Sequence, residues 1–76
     1  MHSVVTSART RTIIALATER NPDAKWIRVE FTYTPTVTTA SLVKTGRDDQ
    51  LTYLNHAAGI DHEEAVFNLL SDLIAA

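Results

Sequence analysis

The side chains of this 76-residue chain that are best suited to chemistry gather in its last third. His56 and His62 lie six residues apart, and three carboxylates surround the second histidine: Asp61, Glu63 and Glu64. The spacing is not that of a structural zinc site, and the chain has no cysteine to supply a thiolate ligand. We therefore predict that the protein binds no metal and uses no cofactor.

No catalytic set is recognisable in the sequence. A serine nucleophile needs an adjacent base and a third residue that orients this base, and no serine here has such a setting. The carboxylates at 48–49 and 63–64 are neighbours in sequence, so their side chains diverge, unlike the paired carboxylates of glycosidases. Two glycines are too few for a phosphate-binding loop, and so short a chain leaves little room for a substrate pocket. We predict that the protein is not an enzyme.

Charge is divided unevenly along the chain, whose net charge is −2. Residues 1–47 hold all seven basic side chains and three acids, which gives +4. Residues 48–76 hold six acids and no lysine or arginine, which gives −6. Either the two halves neutralise each other in the fold, or the acidic half forms a surface for a basic partner.

The clearest local pattern is the alternation of apolar and polar side chains from Trp26 to Pro35, which is typical of a half-buried strand. The face expected to pack on the core carries Ile27, Val29, Phe31 and Tyr33. The opposite face carries Trp26, Arg28, Glu30, Thr32 and Thr34. Tryptophan and arginine often anchor interfaces, so either this second face binds a partner or Trp26 folds over the sheet edge and closes a small core.

Residues 3–20 are expected to form the first helix, with Ser3 as its N-cap and Asn21 and Pro22 marking its end. Its many β-branched residues give it modest intrinsic propensity, so it should depend on packing against the rest of the fold. Ile13 is predicted at the edge of the buried face, and the other members of that face are Val5, Ala8, Thr12, Ala15 and Leu16.

Two further strands are predicted, at 37–45 and 50–55, joined by a polar turn at 46–49. Connections this short favour an antiparallel meander. The core-facing side of the second strand is open, since Val37 and Val43 compete with Ala40 and Leu42, and a bulge would reconcile the two patterns. The small residues at 57–59 are expected to break the third strand.

A second helix is predicted from Asp61 to Ile74. Asp61 and Glu64 have the spacing of a capping box, with Ile60 and Ala65 at the positions of a hydrophobic staple. The predicted apolar stripe consists of Val66, Leu69, Leu70, Leu73 and Ile74.

These elements predict one α+β domain over residues 1–76, with the order α-β-β-β-α. Two helices would pack on one face of a three-stranded antiparallel meander. This order resembles that of double-stranded-RNA-binding domains, which carry basic residues at the start of their last helix. Here that position reads Asp61, His62, Glu63 and Glu64, which would repel phosphate.

The first functional hypothesis is a small protein-binding protein, such as an inhibitor or immunity factor, for example a phage-encoded inhibitor of a host defence complex. It would act by covering a basic or nucleic-acid-binding surface of another protein. Its predicted binding residues are Trp26, Arg28, Glu30, Asp48, Asp49, Glu63 and Glu64.

Two alternatives stay open. One is a nucleic-acid-binding module that uses Arg9, Arg11, Lys25 and Arg28. The other is a homodimer that forms part of a larger assembly. The sequence shows no membrane span and no secretory signal, and it lacks cysteine, so a cytoplasmic location is predicted.

Overall fold

The computed structural model describes the backbone of residues 3–76 and the side chains of residues 8–76. The elements are α1 (Ser3–Arg20), β1 (Trp26–Tyr33), β2 (Thr38–Thr45), β3 (Leu51–Gly59) and α2 (His62–Ala75). The three strands form one antiparallel sheet in the order β1-β2-β3. The predicted α+β class and the order α-β-β-β-α are therefore confirmed. The capping role predicted for Ser3 and the burial predicted for Val5 concern side chains outside the described ones.

Both helices pack on the same face of the sheet. The buried cluster joins residues of α1 and α2 to one face of the strands: Ile13, Ala17, Ala40, Leu42, Ala57, Ala65, Val66, Leu69 and Leu73. Ile27, Val29 and Phe31 pack against this cluster, as the alternation in β1 predicts. Tyr33 is an exception, because it lies at the end of β1 and is 62% exposed.

The buried face of α1 differs from the predicted one. Ile13 and Ala17 are its buried residues, whereas Ala8, Thr12 and Ala15 are exposed. Apolar side chains are spread around this helix, so its sequence periodicity does not single out one face. The helix instead buries the pair, four residues apart, that meets α2 and β1.

The third strand is longer than predicted, because it continues through Ala57 and Ala58 to Gly59. Small residues have low strand propensity, but here they pair with β2 and lie beneath α2, and tertiary packing overrides propensity. The alternation is also interrupted. Leu42 pairs with Asn55 and Val43 with Tyr53, so Leu54 is the extra residue of a bulge.

That bulge lies opposite β2 rather than within it, and β2 itself is buried on both faces. Ala40 and Leu42 face the helices, while Val43, of opposite parity, is fully buried on the other side. Both faces of β2 therefore carry apolar residues, because both faces of this central strand are buried, and this explains why the sequence shows two competing patterns. Val37 precedes the strand and is partly exposed.

The start of α2 confirms Asp61 as the predicted N-cap, while the Glu64 side chain reaches back one residue further than in a regular capping box. The Asp61 side chain accepts a hydrogen bond from the backbone N–H of Glu64 at 2.9 Å, and Glu64 Oε1 accepts one from the backbone N–H of Ile60 at 2.7 Å. Ile60 is 77% exposed, so the predicted staple does not form. In the predicted apolar stripe, Val66, Leu69 and Leu73 are buried and Leu70 is partly buried, whereas Ile74 is exposed because it lies in the last turn.

Two arginines of α1 tie it to α2. The Arg9 guanidinium lies 5.3 Å from the centre of the Phe67 ring, and Arg20 donates a hydrogen bond to the backbone carbonyl of Leu73 at 3.0 Å. The contacts advance together along both helices, so the helices run in the same general direction. Arg20 also supplies a cation to the C-terminal end of α2, whose last turn has no basic residue of its own.

The close approach of α2 to the sheet depends on Gly59. A Cβ atom at this position would lie 2.6 Å from the backbone nitrogen of Ala65 and 2.8 Å from the Cβ of Glu64. The nearest atom is helix backbone, which cannot rotate away, so any larger residue must push the start of α2 off the sheet.

We therefore expect Gly59→Ala to lower the free energy of unfolding by about 1–3 kcal/mol, the usual cost of overpacking. Gly46→Ala is the matched control, since its added Cβ would meet the rotatable carboxylate of Asp48 at 3.0 Å. Chemical denaturation of both variants checks this, and equal losses at the two positions would contradict it.

Candidate protein-binding face

The side of the sheet opposite the helices carries the candidate site, which we call the open face. The strand pairing places its side chains in rows across β1, β2 and β3. Its residues, row by row, are Trp26, Thr45 and Leu51; Arg28, Val43 and Tyr53; Glu30, Ser41 and His56; and Thr32, Thr39 and Ala58.

Large apolar side chains at one end of the open face are exposed. Trp26 is 64% exposed, Tyr53 61% and Leu51 52%. Between them Val43 and Thr45 are buried, and neither belongs to the helix-side core cluster. The outer side chains thus shield the central strand while they present their own surfaces to solvent. Trp26 therefore presents most of its surface to solvent and is not itself a core residue.

An ion pair and a tyrosine fix the centre of the open face. Arg28 Nε donates to Glu30 Oε2 at 3.0 Å, and the Tyr53 hydroxyl donates to Glu30 Oε1 at 3.0 Å. Glu30 lies on β1 and Tyr53 on β3, so this second bond spans the middle strand. Three side chains of the face are therefore ordered before any partner arrives.

These contacts shift two proton equilibria. The hydrogen bonds from Arg28 and then Tyr53 lower the pKa of Glu30 below its ordinary value. The same hydrogen bond to the carboxylate of Glu30, together with its negative charge, raises the pKa of Tyr53 above the ordinary value of 10.0. Glu30 is thus an anion and Tyr53 a neutral donor across the physiological pH range.

The four acidic residues predicted to bind a partner do not form one surface. Asp48 and Asp49 lie in the β2–β3 turn, and Glu63 and Glu64 lie in the first turn of α2, at the opposite end of β3. The nine residues of β3 separate the two pairs by roughly 25–30 Å. Asp49 is held by Lys25 Nζ at 2.9 Å, and Glu64 caps its own helix.

The four basic residues proposed for nucleic-acid binding are also dispersed. Arg9 stacks on Phe67 of α2, Lys25 pairs with Asp49, and Arg28 pairs with Glu30 on the open face. Arg11 lies on α1, on the helix side of the sheet. They therefore do not combine into a single basic stripe.

The histidines have different settings. His62 stacks on Phe31 with 4.1 Å between ring centres, and its Nε2 atom is hydrogen-bonded to the hydroxyl of Tyr33. His56 lies on the open face in the row of Glu30. The two residues are thus separated by the sheet. Among residues with described side chains, no three metal-ligating groups come together.

A cavity lined mainly by polar and charged residue types lies at the β2–β3 turn, larger than the sequence leads one to expect. Its volume is about 340 Å³, and it opens to solvent. Lys44 Nζ lies 3.3 Å from Asp23 in its wall, and the pairing with Lys44 lowers the pKa of Asp23. The other lining residues are Gly46, Arg47, Asp48, Gln50 and Thr52. Of the predicted binding residues, this cavity contains only Asp48.

Tyr53 and Leu51 are the members of the site that the sequence analysis missed. Both lie on the open face only because the bulge at Leu54 sets the register of β3. Leu51 and Tyr53 alternate with Thr52 and Leu54 in the sequence, which indicates a strand. The alternation does not indicate which of these two pairs faces the helices.

Comparison with models of protein families, with curated proteins and with solved structures finds no match to this chain. Among the described residues, neither helix combines the length and apolar character needed to cross a bilayer.

The hydrogen bond between Glu30 and Tyr53 makes a testable prediction. Glu30→Gln removes the negative charge that opposes ionisation of the phenol, so the pKa of Tyr53 should fall towards its ordinary value. Alkaline titration of tyrosinate absorbance measures this in a Tyr33→Phe background, where Tyr53 is the only tyrosine. Glu63→Gln is the control and should leave the titration unaltered. An unchanged Tyr53 pKa in Glu30→Gln would show that the two side chains do not interact.

The lowered pKa of Glu30 determines how the stability of the fold changes at acidic pH. Because folding lowers the pKa of Glu30, its ionised form stabilises the fold above the ordinary carboxyl pKa. That contribution is lost as the pH falls through the lowered folded value. In Tyr53→Phe the lost donor should raise the pKa of Glu30, and NMR titration of its carboxyl carbon tests this.

Proposed function

We propose that this chain is a non-enzymatic protein-binding protein that docks on its partner through the open face. The observation that carries the proposal is the exposure of Trp26, Leu51 and Tyr53 beside the ordered Arg28–Glu30 pair. Tryptophan, tyrosine and arginine dominate the binding energy of protein interfaces, and a rigid sheet reduces the entropy lost on binding.

Within this class we propose an inhibitor or immunity-type role, such as that of a phage-encoded inhibitor of a host defence complex. A chain of 76 residues with one exposed sheet face can act by occluding a functional surface of a larger protein. The acidic ends at Asp48 and Glu63 would flank a partner that spans the length of the sheet. A partner with basic margins, such as a nucleic-acid-binding protein, satisfies that charge pattern. The lack of cysteine supports action in the reducing cytoplasm.

One observation favours a second candidate, a single-stranded nucleic acid. Trp26 and Tyr53 offer rings for base stacking on an open sheet, with Arg28 between them. The carboxylate of Glu30 bonds this arginine, and it would repel a phosphate backbone that followed the same face. The balance therefore favours a protein as the occupant.

Site-specific photo-cross-linking in a lysate of the source organism tests the proposal. A photoreactive side chain in place of Tyr53 should capture a defined protein, and excess wild-type protein should abolish the capture. Excess Trp26→Ser should fail to compete, because this variant lacks an aromatic anchor. The captured protein should then lose its activity in the presence of the wild-type chain.

A photoreactive side chain in place of Phe67 is the matched control, since this exposed ring lies on α2, on the opposite side of the sheet. Capture of the same protein with equal yield from both positions would contradict docking on the open face. Binding of single-stranded probes that weakens steeply with salt would favour nucleic acid instead.

A further inference from the structure

The outer edge of β1 is a regular strand edge with no neighbour among the described residues. β1 is the first strand of the sheet, and its eight residues pair with β2 without a register shift. The strand contains no proline. The other edge strand, β3, is interrupted by its bulge. Bulges and prolines protect sheet edges from further pairing, so β1 is the less protected edge.

The backbone groups available along this edge follow from the hairpin. The N–H of Thr34 donates to the carbonyl of Val37 at 2.8 Å, where the β1–β2 ladder closes. In an antiparallel ladder such bonded pairs alternate with unbonded ones, so the even-numbered residues of β1 bond to β2. Ile27, Val29 and Phe31 therefore direct their N–H and C=O groups outwards.

We propose that a second copy of this chain pairs with β1 in antiparallel fashion, about a two-fold axis through Val29. The two sheets then form one continuous six-stranded sheet with all four helices on the same side. Val29 faces its own copy, and Ile27 faces Phe31 of the second copy in both directions. These are bonded pairs made from the outward-directed groups, so the interface gains about six backbone hydrogen bonds.

Charge selects this register over its neighbours. With the axis at Val29, Arg28 of each copy lies directly opposite Glu30 of the other. A shift that moves the axis to Arg28 places two arginines opposite each other, and a shift to Glu30 places two glutamates opposite each other. Opposite charges across a strand pair stabilise it, and like charges destabilise it.

The apolar side of β1 is suited to the same pairing. Ile27, Val29 and Phe31 are only partly buried within one copy and lie on the helix side of the sheet. In the paired sheet they meet their counterparts from the second copy and lose further contact with water. The inference does not rest on the proposed function, because the pairing is made by the backbone edge of β1; Arg28 and Glu30 are the residues that the edge and the open face share.

A cysteine scan tests the register directly, since the natural chain has no cysteine. Val29 is the residue that faces its own copy, with Cα atoms about 5.5 Å apart in a bonded pair, which lies within the range for a disulfide. Mild oxidation of Val29→Cys should therefore give a covalent dimer. Thr32→Cys is the control, because the two copies of Thr32 would be roughly 20 Å apart. It is also the more exposed position, so random collision would favour the control.

Charge exchange provides an independent test with the mass in solution as the readout. Wild-type protein should show a concentration-dependent doubling of mass by sedimentation. Glu30→Arg should raise the protein concentration at which half of the chains are dimeric by at least tenfold. The double exchange Arg28→Glu with Glu30→Arg should restore dimerisation. A strictly monomeric wild-type mass at millimolar concentration would overturn the proposal. Oxidation of Thr32→Cys as fast as Val29→Cys would also overturn it.

Discussion

The close contact between the start of α2 and the end of β3 is the constraint on which the rest of the structure depends. Gly59 leaves no room for a side chain there, and the small buried side chains of Ala40 and Ala57 project little from the neighbouring sheet surface. The first turn of α2 can therefore lie low on the sheet, where His62 reaches Phe31 on the far strand. This contact fixes the helix layer on one face, and by exclusion it defines the open face.

Much of the architecture could be predicted from local signals, because they agree with the tertiary structure. Alternation in β1, the Asn21–Pro22 stop and the Asp61–Glu64 capping box each mark an element that the structure contains. The errors arose where local pattern and packing diverge. In α1 the apolar residues surround the helix, so only the contact with α2 selects Ile13 and Ala17. In β3 the small residues look like a break until the helix above them is known.

The candidate site was only half accessible to sequence reasoning. Trp26, Arg28 and Glu30 share a strand, so their common face follows from alternation alone. Tyr53 joins them through a long-range register that a bulge determines, and a single sequence does not reveal that register. The prediction that the acidic residues form one surface was wrong. Proximity in sequence made them look like one surface, whereas the length of β3 separates them.

The common direction of the two helices has an electrostatic consequence. Antiparallel helices cancel each other's dipoles, but here the dipoles add, and each contributes about half a positive charge at its N-terminal end. Asp61, Glu63 and Glu64 lie at that end of α2, and Arg20 lies where the helices finish. The formal charges oppose the backbone field at both ends. The backbone field is therefore offset at the two ends of α2, where it would otherwise stand unbalanced.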